Sequence, residues 1–224
     1  MTGLLRTDGL TKDYGDLLAL DALDLGVAAG EAVVLVGPNG SGKTTFLRLA
    51  AGLLEPSDGT VTVADQPSGS LPARAATSFL PDSPVLYDDL DVREHAEYVG
   101  RLHGVDDWAP RTDALLARLG LADRADDLPS RFSRGLRQKT SILLGLVRPF
   151  QLLLVDEPFV GLDAPGQAAL LDLLDEAAAG GAAVVVATHQ LDFVHRASRC
   201  VALRDGRLIY DGPAAADEVL RLVS

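Results

Sequence analysis

Gly37-Pro38-Asn39-Gly40-Ser41-Gly42-Lys43-Thr44-Thr45 fits the pattern G-x-x-x-x-G-K-[ST] of a phosphate-binding P-loop. The apolar run Ala32-Val33-Val34-Leu35-Val36 before it reads as a buried strand, and Phe46-Leu47-Arg48-Leu49-Ala50-Ala51 after it reads as a helix. Strand, loop and helix in that order are the context the motif needs. Its glycines let backbone N–H groups turn inward around phosphate oxygens, and the helix N-terminus adds the positive end of its dipole. Lys43 then reaches the β- and γ-phosphates of a nucleoside triphosphate, and the Thr44 hydroxyl ligates Mg²⁺. The alternative, a glycine-rich turn that only caps a helix, accounts for neither the lysine nor the spacing.

A second constellation stands far downstream. Leu152-Leu153-Leu154-Val155-Asp156-Glu157-Pro158 is a hydrophobic strand ending in two acids. By itself such a strand end is as well read as a pair of solvated carboxylates. With a P-loop upstream, Asp156 is the expected holder of Mg²⁺ and Glu157 the expected general base that orients or activates the attacking water.

Composition limits what else the chain can be. Its 224 residues suit one domain with a sizeable insertion, and 47% apolar residues with only 5% aromatics imply an aliphatic core. The net charge of −12 argues against a general nucleic-acid binder, which would carry a basic face. Lysine occurs only at Lys12, Lys43 and Lys139, so one inside the P-loop stands out. A single cysteine, Cys200, excludes a disulfide or zinc framework within the chain and suits a reducing compartment. The N-terminus lacks the apolar core of a signal peptide, and the uncharged run from Ala177 to Thr188 is too short and glycine-interrupted to span a bilayer. A membrane role therefore needs a partner.

Apolar periodicity supplies the organisation. Strands are expected over Leu17–Val27, Ala32–Val36, Thr60–Val63, Ala76–Leu80, Leu152–Val155 and Ala183–Ala187, with a hairpin of Cys200–Leu203 and Arg207–Tyr210 turning at Asp205-Gly206. Helical spacing marks Val92–Gly104, Arg111–Leu119, Ser133–Val147, Gln167–Ala179 and Leu191–Ala197. Continuous apolar strands alternating with helices imply an α/β fold with a largely parallel sheet covered on both faces. Residues 1–84 and 149–224 are expected to form a nucleotide-binding core, and 85–148 a helical subdomain inserted into it.

Two more segments narrow the class: Phe132-Ser133-Arg134-Gly135-Leu136-Arg137-Gln138-Lys139, which opens a helix, and Ala187-Thr188-His189-Gln190, which ends the strand after Asp156. With these in order, the chain resembles the nucleotide-binding domain of ATP-binding-cassette (ABC) ATPases over nearly its whole length. The resemblance implies a P-loop NTPase core with an antiparallel β part near the N-terminus, a helical insertion, and hydrolysis of ATP to ADP and phosphate with ATP and Mg²⁺ bound. It also implies that two copies sandwich two nucleotides. In that arrangement Tyr14 stacks on adenine and Gly37, Pro38, Asn39, Gly40, Ser41, Gly42, Lys43, Thr44 and Thr45 cradle the phosphates. Ser133 and Gly135 touch the γ-phosphate held by the opposite copy, Asp163 of Gly161-Leu162-Asp163 links the copies, and His189 bonds the γ-phosphate. Separate membrane permease subunits then dock near residues 83–105, placing the chain peripherally on the cytoplasmic face of the membrane. Each residue has a plainer reading: Tyr14 as packing, His189 as a satisfied polar group, Ser133 as a helix N-cap.

The chain departs from the family pattern at Arg134 and Leu136, where the commonest form has Gly and Gln, and at Asp82, where many members have Gln. A carboxylate at Asp82 can still ligate Mg²⁺, but when ionised it cannot donate a hydrogen bond. Leu80-Pro81-Asp82-Ser83-Pro84-Val85-Leu86-Tyr87 and the Ser133–Gln138 segment look like the drug- and antibiotic-exporter branch. The alternative function is an ABC ATPase that acts on nucleic acid or ribosomes without a permease; the acidic balance and the lack of room for paired cassettes or coiled coils count against it. A P-loop kinase leaves the Ser133 and His189 segments unexplained.

Overall fold

The computed structural model describes residues 3–188 and 191–214. The chain divides into two compact units, one drawn from the segments Met1–Phe79, Phe150–Glu157 and Asp175–Ser224, the other from Leu80–Pro149 and Pro158–Leu174.

The first unit holds two sheets. β1 (Leu5–Asp13), β2 (Leu18–Val27), β4 (Asp58–Val63) and β5 (Gln66–Pro67) form an antiparallel sheet in the order β2-β1-β4-β5. The larger sheet runs β10-β9-β3-β8-β7-β6, built from β3 (Ala32–Val36), β6 (Thr77–Leu80), β7 (Leu152–Asp156), β8 (Ala183–Ala187), β9 (Arg199–Arg204) and β10 (Arg207–Pro213). β9, β3, β8 and β7 are mutually parallel, and β10 turns back antiparallel at Asp205-Gly206. All five residues of both β7 and β8 are buried, as strands covered on both faces must be. Cys200 lies fully buried in β9, outside any disulfide.

Helix α1 (Lys43–Ala50) follows β3 and buries Phe46, Leu47, Leu49 and Ala50 while leaving Arg48 outside. These side chains join Leu5, Leu20, Val33, Leu35, Val63, Leu154, Val185 and Leu203 in one aliphatic core. Burying Phe46 alone contributes on the order of 2–3 kcal/mol. α2 (Leu71–Ala76) is a short helix capped by the Ser70 hydroxyl, and α7 (Leu191–Val194) is a single turn.

The second unit is helical. α3 (Val92–Leu102) opens with a capping box in which Asp91 and Glu94 each accept the other's backbone N–H. α4 (Trp108–Leu119) ends on Gly120 in the left-handed region, and α5 (Arg134–Leu146) starts at Ser133, whose hydroxyl accepts the Leu136 N–H. α6 (Ala164–Ala179) passes from this unit into the first at Asp175.

Several elements differ from the sequence expectations. β1 is absent from the sequence expectations, because a register shift beside Gly9 breaks the alternation of buried and exposed side chains. Ala76 closes α2, and β6 begins one residue later. α4 and α6 start three residues earlier than expected in each case, at Trp108 and Ala164, because Pro110 and Pro165 sit in the first helical turn, where a missing N–H costs nothing.

Candidate functional site

Within the first unit the parallel strands all deliver their C-terminal ends to one edge of the sheet, where ligands of open α/β folds bind. β3 runs into the loop Gly37–Gly42, β7 ends at Asp156 just before Glu157, and β8 ends at Ala187 just before Thr188. Thr188 is fully buried and its N–H reaches the Leu35 carbonyl at 3.3 Å. His189 lies outside the described residues.

The loop is shaped by close backbone approaches. A Cβ on Gly37 would overlap the Leu203 carbonyl oxygen, and one on Gly42 would come within 2.5 Å of the Ala19 carbonyl oxygen. Gly42 also has φ 104°, which only glycine adopts without strain, and it is the residue from which α1 begins. Lys43 is largely buried, and its Nζ donates to the Gly37 carbonyl at 2.7 Å and the Pro38 carbonyl at 3.2 Å. Burial pulls its ammonium below the usual lysine range, and the nearby carboxylates of Glu157 and Asp156 oppose that shift. The Ser41 hydroxyl is buried without a hydrogen-bond partner. A buried hydroxyl without a partner in this loop is a donor that an oxygen-rich ligand could accept from.

The Thr44 hydroxyl donates to Asp156 Oδ2 at 2.8 Å, so the start of α1 and the end of β7 present two oxygen donors side by side. Two such oxygens fit a hard divalent cation. Glu157, the next residue, has φ 44° and donates its N–H to the Ala187 carbonyl at 2.8 Å. A glutamate in the left-handed region is a strained backbone, and such strain concentrates where a side chain must be aimed. Tyr14 is half exposed, with the Lys12 ammonium 5.1 Å from its ring centre.

The second unit carries Asp82, Ser133, Gly135 and Asp163. Asp82 accepts a hydrogen bond from Nη2 of Arg134 at 3.4 Å, so two of the three departures from the family pattern meet. Ser133 is exposed at the N-terminus of α5. Asp163 pairs with Lys139 at 2.8 Å, which holds its carboxyl below the ordinary carboxylate range. Sequence reasoning had no place for Lys139; its pairing joins positions too far apart for any local spacing to show.

A family model described as ABC transporter matches residues 20–160. The chain belongs to the ABC transporter family. It is 33% identical over 211 residues to the SkfA peptide export ATP-binding protein SkfE of Bacillus subtilis (strain 168), covering 93% of this chain and 88% of that protein. It is 34% identical over 215 residues to the daunorubicin resistance ATP-binding protein DrrA3 of Streptomyces coeruleorubidus, covering 94% of this chain and 68% of that one. Among solved structures, an ATP-binding subunit of an ABC transporter superposes with a TM-score of 0.91 at 30% identity, covering 97% of this chain and 98% of that one. This ABC ATPase is of the type found in export systems, as its resemblance implied, and it hydrolyses ATP in a cycle coupled to transport. No helix among the described residues is long and apolar enough to cross a membrane.

Proposed function

We propose that this subunit binds Mg²⁺-ATP in the Gly37–Thr45 loop, pairs with a second copy across two nucleotides, and drives export through separate membrane subunits. The observation that carries the reading is the meeting of Thr44 with Asp156 beside the buried Lys43 and the orphaned Ser41 hydroxyl. The loop N–H groups and Lys43 take the triphosphate, with Lys43 exchanging its two loop carbonyls for phosphate oxygens. Thr44 and Asp156 would hold the Mg²⁺ ion, which would supply neutralisation of phosphate charge. Glu157 holds and orients the attacking water and accepts its proton, and the left-handed backbone aims the carboxylate. Tyr14 stacks on the base, His189 steadies the γ-phosphate, Ser133 and Gly135 meet the partner's γ-phosphate, and Asp163 joins the copies.

Closure comes from ATP bridging two copies that each carry net charge −12, so it is expected to be weak without nucleotide. Membrane subunits dock on the second unit near residues 83–105. In support, Val85 is 92% exposed, and the exposed rings of Tyr87 and Tyr98 meet edge to face with centres 5.8 Å apart. By analogy with the peptide-export and daunorubicin-resistance relatives, the cargo is a peptide or small organic molecule, and the subunit sits on the cytoplasmic face of the membrane.

The test is Glu157→Gln. ATP binding is retained, phosphate release falls by about 10²–10⁴-fold, and a nucleotide-bound dimer accumulates on light scattering. Unchanged steady-state phosphate release removes Glu157 from the mechanism.

A further inference from the structure

Lys139 stands apart from every role assigned so far. It lies in the second turn of α5, its side chain is only 10% exposed, and its Nζ ends 2.8 Å from Asp163 Oδ1. A buried ammonium is costly unless paired, and Asp163 supplies the pair. The same oxygen accepts the Gly166 N–H at 3.2 Å, while Gln167 N–H reaches the Asp163 carbonyl at 2.9 Å, so Asp163 also caps the start of α6. Space is tight around this contact. A Cβ on Gly166 would come within 2.7 Å of Lys139 Cε and 2.6 Å of Asp163 Oδ1. One turn away along α5, a Cβ on Gly135 would overlap the Gly161 carbonyl oxygen. The loop Gly161–Gly166 is thus seated on α5 at two points, the glycine contact beside Ser133 and the ion pair further along. The Asp163 side chain remains 59% exposed.

We propose that Lys139 is a positioning residue that locks the Asp163 loop to α5, so that Ser133 and Asp163 face a second copy of this chain as one rigid surface. The consequence for pairing rests on the ATP-sandwich reading above; the lock itself does not. Without the ammonium, Asp163 keeps its cap on α6 but loses the contact that ties it to α5. Ordering the loop must then be repeated at each closure, and that cost weakens nucleotide-driven pairing.

The experiment uses the full chain with Glu157→Gln as background, so that closed dimers persist. Lys139→Met replaces the ammonium with an apolar chain of similar volume, which leaves thermal stability within a few degrees because no charge remains buried. In the nucleotide-free protein, amide exchange at Leu162 and Gly166 speeds up about tenfold. The ATP concentration that half-saturates dimerisation rises about tenfold, while ATP binding by the monomer is unchanged. Lys139→Arg restores both to within about threefold. Because Lys139 acts through Asp163, adding Lys139→Met to Asp163→Ala changes nothing further. Gly166→Ala, which alters no charge, loosens the same loop and gives the same pattern should Lys139→Met fold poorly. Wild-type exchange rates in Lys139→Met, or effects of Lys139→Met and Asp163→Ala that add, overturn the proposal. A background protein that never pairs with Mg²⁺-ATP overturns the sandwich reading, and the exchange measurement still decides the lock.

Discussion

Glu157 allows the backbone and the carboxylate to be tested separately. Its φ of 44° places a non-glycine residue in the left-handed region, and its N–H is held on the Ala187 carbonyl. Glu157→Ala and Glu157→Gly both delete the carboxylate and every contact it makes, so they differ only in what the backbone tolerates. Alanine in that region costs roughly 1–2 kcal/mol. Glycine escapes that cost but loses about 0.5–1 kcal/mol more chain entropy on folding. The balance favours the glycine variant by about 0.5–1 kcal/mol, or about 1–4 °C in melting temperature for a chain of this size. This inverts the usual ranking, in which glycine is the less stable substituent. Thermal denaturation by circular dichroism without nucleotide is the assay, and both variants should lose phosphate release to the same extent as Glu157→Gln. If the alanine variant melts higher, Glu157 is not strained, and the argument that strain aims its carboxylate fails.

Thr44→Val removes the hydroxyl that Asp156 accepts and keeps the shape; it should lower the nucleotide-free melting temperature by about 3–8 °C, given about 1.5–2 kcal/mol for a hydrogen bond to a charged group, whereas Thr44→Ser should not. An unshifted melt for Thr44→Val denies that contact. The Arg134–Asp82 pair is exposed, so Arg134→Gly should cost no more than about 1 kcal/mol, and the difference should vanish near 1 M salt, where the screening length is about 3 Å; a salt-independent loss in denaturant titrations would point to packing instead. Lys139 lowers the Asp163 pKa, so this pair stabilises the fold above the ordinary value of 3.8 and stops doing so as pH falls below it; the stability gap between wild type and Asp163→Asn, followed by urea melts, should narrow through that window and stay level from pH 5 to 7. A gap that widens on acidification reverses the sign of the argument.

What could be read from residues alone follows physical lines. β3, β7 and β8 are uninterrupted aliphatic runs, and nothing except a buried strand between helices suits them, so the large sheet was legible. The P-loop and the Asp156-Glu157 pair were legible because each is contiguous and its chemistry dictates its residue types. β1 was not, since the bulge at Gly9 scrambles the alternation on which strand reading depends. α2 is six residues long with a proline in its first turn, too short to show a period. Pairings such as Arg134 with Asp82 and Lys139 with Asp163 join segments brought close only by folding, and neither partner's neighbours announce the other. The left-handed backbone at Glu157 was equally silent, because glutamate is not a residue that signals positive φ.

Cys200 gives the molecule a built-in clock. Its thiol is the only one in the chain and is sealed inside β9, so an added sulfhydryl reagent can react only when the central sheet comes apart. The rate of labelling therefore counts opening events, and its slowing on addition of adenine nucleotide would measure, in the native protein, how firmly the bound ligand knits that sheet.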